Sequence, residues 1–116
     1  MRKVKKESEL KELAKKISES IVIRTEVDGT SKDTRRETTS LEKKILHRIL
    51  YAALLAMNEA LLNCRDEKEY NTAACAIVNA AEYTTKQFIT ECNGYLTVYI
   101  PLNTVLDEWE KEDERA

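Results

Sequence analysis

The sequence predicts a mainly α-helical protein, an antiparallel bundle of three to four helices with a minor β element. Apolar residues recur at helical spacing over three long stretches, and only two Gly and one Pro interrupt 116 residues. A composition of 42% hydrophobic and 34% charged residues sets the chain apart from disordered and low-complexity classes. Its length matches one domain, able to bury roughly two-thirds of its unfolded surface, so we expect a single helical domain over residues 1–116.

The first helix is expected over about residues 8–20. Leu10, Leu13, Ala14, Ile17 and Ile21 share one face and Lys11, Glu12, Lys15, Lys16 and Glu19 the other, with Ser8 as the expected N-cap. Val4 lies off the apolar stripe, which suggests that the first few residues are frayed or differently placed. From Ile21 the pattern turns to period two, and a strand over about 21–27 closes at the Asp28-Gly29 turn signal. Residues 30–39 contain no apolar side chain, so the segment 28–39 reads as a polar loop or the outer strand of a hairpin, the loop being preferred.

Thr39 followed by Glu42 three residues later makes a capping box, and a second helix is expected over about 40–64. Leu46, Ile49, Leu50, Ala53, Met57, Ala60 and Leu61 form one stripe, yet Tyr51, Leu54, Leu55 and Leu62 lie elsewhere, so the middle is apolar nearly all round. A helix of that kind must be covered on every side, which few helices can do for one another. This is the main sequence hint of self-association, and a fully covered core helix is the plainer alternative.

Asp66 and Glu69 suggest another capping box for a third helix over about 67–92, with Tyr70, Ala73, Ala74, Ile77, Ala81, Phe88 and Cys92 on its inner face and Asn93-Gly94 as the stop. The short link between them makes the second and third helices antiparallel neighbours. The β-branched and aromatic run at 95–100 reads as a strand, pairing either with 21–27 or with its copy in another subunit. Asn103 or Thr104 should cap a last helix over about 104–114, docked by Val105, Leu106 and Trp109 and running into an acidic tail at 110–116.

Function is less legible. The net charge of −2 conceals a basic first half, with 14 basic and 9 acidic residues up to position 48, and an acidic remainder with 5 and 12. The charged N-terminus is followed by no apolar run, and the longest uncharged stretch, Cys92 to Leu106, is too short and polar to span a bilayer. We expect a cytoplasmic protein with no membrane association. The odd thiol count of Cys64, Cys75 and Cys92, without a CxxC pair, argues against a disulfide framework or zinc site. A lone histidine, His47, supplies no metal pair, and no nucleotide-binding or hydrolase motif is present. Glu59, set in an apolar run, and Cys75 are the candidate reactive groups, and their surroundings favour an exposed carboxylate and a small apolar residue.

We therefore expect no enzyme activity, no cofactor and no metal. The expected function is protein–protein interaction or assembly, as a homo-oligomer, a dimer being the first guess, or with another protein. Its expected contact residues are Tyr51, Leu54, Leu55, Leu62, Leu96, Val98 and Ile100. The alternative is a small nucleic-acid-contacting subunit of a nucleoprotein complex. It would use Lys5, Lys6, Lys11, Lys15, Lys16, Arg35, Arg36, Lys43, Lys44 and Arg48 against phosphates, although interspersed glutamates dilute that signal.

Overall fold

The computed structural model describes residues 2–26, 33–35, 38–89 and 95–115, with side chains described for 2–23, 38–89 and 98–111. The chain is mainly helical with a small antiparallel sheet. Its elements run α1 (Glu7–Ser18), β1 (Val22–Glu26), β2 (Asp33–Arg35), α2 (Ser40–Asn63), α3 (Glu67–Phe88), β3 (Tyr95–Tyr99) and α4 (Leu102–Arg115).

The helices form a square. α1 lies beside α2 and α4, α3 lies beside the same two, and among the described residues neither diagonal pair is in backbone contact. Named contacts fix the directions. Lys5 is bonded to Asn58 and Lys11 to His47, so α1 and α2 run antiparallel. Trp109, late in α4, reaches back to Lys3, so α4 is antiparallel to α1 as well. The square encloses one core, in which Leu10, Leu13 and Ile17 of α1 meet Leu50, Leu54 and Met57 of α2, Tyr70 and Ala74 of α3, and Trp109 of α4. Ala74 and Ala81 on the inner face of α3 let α2 approach closely.

The sheet closes one end of the bundle in the order β2-β1-β3. β1 and β3 pair antiparallel from Val22 opposite Tyr99 to Glu26 opposite Tyr95, which answers within the chain where the 95–100 strand finds its partner. Directly paired Ile23 and Val98 fall on the same side by the two-residue alternation, and with Leu46 and Ile89 they make a second, smaller core.

Local signals explain several boundaries. Thr39 and Glu42 form the full capping box, with bonds of 3.2 Å to the Glu42 N–H and 2.9 Å from the Thr39 N–H. Asp66 makes its half of the second box, accepting from the Glu69 N–H at 2.8 Å, while the Glu69 carboxylate takes the Arg65 N–H and side chain instead.

Other expectations need correcting. α1 starts at Glu7 behind Lys6 with no side-chain cap, so Ser8 is not the N-cap; Glu7 and Glu9 in the first turn suit the helix dipole. The segment before it is held rather than frayed. The Asn58 amide donates to the Lys5 carbonyl and accepts from the Lys5 N–H, both at 2.9 Å, and Trp109 Nε1 donates to the Lys3 carbonyl at 2.8 Å. Residues 33–35 of the expected loop form a strand opposite Arg24–Glu26, so the hairpin alternative holds there. α3 ends at Phe88 rather than near 92, where Ile89 turns inward to the second core, and Phe88 is left 61% exposed. Its inner face carries Val78 and Thr85 instead, and Thr85 satisfies its buried hydroxyl by donating to the Ala81 carbonyl at 2.7 Å. α4 begins at Leu102, two residues before Thr104, with the Val105 N–H donating to the Pro101 carbonyl. The Asp28-Gly29 and Asn93-Gly94 signals and Cys92 lie outside the described residues.

Candidate assembly interface

α2 sits at a corner of the square, so its circumference divides into distinct faces. Leu46, Leu50, Leu54, Met57 and Leu61 point into the core and are at most 8% exposed. His47, Tyr51 and Asn58 look along the junction with α1: His47 Nε2 lies 3.2 Å from the Lys11 carbonyl, and the Lys11 ammonium stands 5.7 Å from the Tyr51 ring centre.

The side turned away from the core carries a second regular pattern. Leu41, Ile45, Arg48, Ala52, Leu55, Glu59 and Leu62 are separated by alternating steps of four and three residues, the heptad spacing of a coiled-coil seam. Leu41 and Leu62 are 68% and 64% exposed, Arg48, Ala52 and Glu59 are exposed, and Ile45 and Leu55 are half-buried. At 1.5 Å per residue the seam is about 30 Å long. Five of its seven positions are apolar, and on the neighbouring α3, Ala76, Ala80 and Tyr83 are exposed in a stretch with no charge between Glu69 and Glu82. Two strongly exposed leucines at the ends of the seam, with half-buried Ile45 and Leu55 between them, make it the candidate contact surface of α2.

The expected contact residues separate accordingly. Leu55 and Leu62 belong to the outer seam, and Tyr51 lies on its α1 flank. Leu54, Val98 and Ile100, at 1%, 6% and 2% exposure, are buried within the chain itself and offer no surface. The side chain of Leu96 lies outside those described. Leu41, Ile45, Ala52 and the two seam charges were missed. Their signal was the heptad spacing itself, which overlaps the inner stripe and separates from it only once the inner face is known.

The basic residues do not form one surface. Lys5 is buried with its ammonium 5.4 Å from the Trp109 ring centre. Lys6, Lys11, Lys15, Lys43, Lys44 and Arg48 are exposed and Lys16 half-buried; the Arg35 side chain and Arg36 lie outside the described residues. The antiparallel contact between α1 and α2 does bring Lys11 and Lys15 toward Lys44 and Arg48.

Groups with chemical potential are scattered. Glu59 and Cys75 are exposed, and the nearest polar contact to the Cys75 thiol is the Asn79 amide at 3.8 Å. Among the described residues no three His, Cys, Asp or Glu side chains gather as a metal site. A shallow depression along Glu67, Asn71, Thr72, Cys75 and Asn79 is formed by one side of α3 alone and opens widely to solvent. It lacks the enclosing walls that a small-molecule site needs.

Among the described residues α2 is the one helix with the length and hydropathy to cross a membrane. That property comes from carrying two apolar seams, one of which the core covers. No family model matches the chain, and no curated protein or solved structure matches it.

Proposed function

We propose that this is a non-enzymatic assembly protein that associates with protein through the outer seam of α2. The observation that carries the reading is the exposed heptad run from Leu41 to Leu62 on a helix whose opposite face already fills the core. Folding leaves Leu41, Ala52 and Leu62 and part of Ile45 and Leu55 in water, and burying that surface against another protein releases about 25 cal/mol per Å² of apolar area. The α2 helix is held rigid by α1 and α3, so little ordering entropy opposes docking.

Leu55→Glu combined with Leu62→Glu tests the reading directly. Both changes place charge on the seam while leaving the five inner residues intact; Leu55 is half-buried against the edge of the core, so circular dichroism first confirms that the double variant is folded. Light scattering or partner capture should show association lost. Retained association by a folded double variant would refute it.

A second reading, contact with nucleic acid, is favoured by one observation: α1 and α2 bring Lys11, Lys15 and Lys44 to one side of the molecule. Phosphate contacts weaken steeply with salt, so this reading requires binding to DNA or RNA at low salt that falls as salt rises. No binding at low salt eliminates it for the isolated chain.

A further inference from the structure

We propose, building on the reading of the outer α2 seam as an interface, that its occupant is a second copy of this chain packed with α2 antiparallel to α2 in one register. Two charges on the seam select this arrangement. Arg48 and Glu59 are eleven residues apart, three helical turns, and so lie on the same face separated by about 16 Å. Both are exposed, and neither side chain has an ion-pair or hydrogen-bond partner among the described residues.

A two-fold axis midway between them sets Arg48 of each copy opposite Glu59 of the other. The same operation sets Ala52 opposite Leu55, a small residue against a large one, and Ile45 opposite Leu62. Six of the seven seam positions are then matched in charge or in volume, with Leu41 left beyond the paired stretch because α2 ends at Asn63, and the pairing joins the two heptad positions that face each other in antiparallel coiled coils.

The alternative arrangements are less well matched. A parallel pair sets Arg48 against Arg48 and Glu59 against Glu59. Sliding the antiparallel pair by one heptad either way sets Glu59 against a leucine, Leu55 or Leu41. The two ion pairs therefore select orientation and register, whatever their net contribution to affinity after desolvation.

Charge reversal tests this by self-association measured with analytical ultracentrifugation. In the Arg48→Glu homodimer each changed side chain faces Glu59 of the other copy, and in the Glu59→Arg homodimer each faces Arg48, so either change alone makes two like-charge contacts and should weaken homodimerisation by about a hundredfold or more. Mixing the two single variants in equal amounts should produce a heterodimer with both ion pairs restored, and the double variant R48E/E59R should homodimerise again. Circular dichroism of each variant confirms that an exposed helix position was changed without unfolding. Single variants that dimerise as the wild type does, a mixture that stays monomeric, or a monomeric wild type would each overturn the proposal. If Leu55→Glu with Leu62→Glu abolishes association while the charge reversals leave it intact, the seam is an interface with a different occupant or register. If neither set has an effect, the seam is no interface at all.

Discussion

The two sides of α2 carry nearly the same apolar pattern and have opposite fates. Leu46, Leu50, Leu54, Met57 and Leu61 are sealed in the bundle, whereas on the other side Leu41, Ala52 and Leu62 are exposed and Ile45 and Leu55 half-buried, interrupted by Arg48 and Glu59. The inner side contains no charge, as a core packed by three other helices requires. The outer side tolerates two, of opposite sign and placed symmetrically about Ala52 and Leu55. Hydrophobic periodicity identifies a surface that is buried somewhere; the position of the charges indicates whether the chain or a second body covers it.

The contrast can be broken first from the inside. Leu54→Ala empties a fully enclosed position and should cost about 2–5 kcal/mol in urea unfolding. Next comes the junction with α1: Asn58→Ala leaves both the Lys5 N–H and carbonyl without their partner and should cost about 1–3 kcal/mol by the same measurement. Thr39→Ala removes the cap from α2 while touching neither seam, and should lower stability by about 1 kcal/mol with self-association unaltered once the fraction folded is taken into account. The outer side should respond in the opposite sense. Leu62→Ser should change monomer stability by less than about 0.5 kcal/mol, measured at a concentration dilute enough to prevent association. It should still weaken self-association, read by ultracentrifugation at higher concentration.

Much of the fold was legible where the controlling interactions are local. The Thr39-Glu42 box marks the start of α2 because both partners lie within one turn, and the change from helical spacing to alternation after Ile21 marks β1. What was missed is long-range. The pairing of Lys5 with Asn58 spans 53 positions and the bond from Trp109 to Lys3 spans 106, so no window along the sequence shows that the first residues are pinned to α2 and α4. Phe88 keeps the inward helical phase and is exposed because α3 ends there, a fact about length rather than periodicity. Val98 and Ile100 read as candidate surface because a strand shows only that one face is apolar; the end of the bundle against which that face packs appears only in three dimensions. Leu55 and Leu62 were recognised as apolar residues in excess, but the seam they belong to emerged only after the inner stripe could be subtracted.

The same subtraction explains why composition alone is ambiguous for α2. A mean hydropathy high enough to cross a bilayer follows from two seams on one helix. With one seam in the core, the other is left as a stripe rather than an all-round apolar surface, which suits pairing with another helix.

The central claim is that the outer seam is covered by another body, and in its sharpest form by a second copy. The most direct measurement is the absolute mass of the untagged protein by light scattering on a sizing column, at two concentrations and moderate salt. The account predicts a species of twice 13.4 kDa that dissociates on dilution or on reversal of Arg48 alone. A mass of 13.4 kDa at both concentrations would contradict pairing between copies.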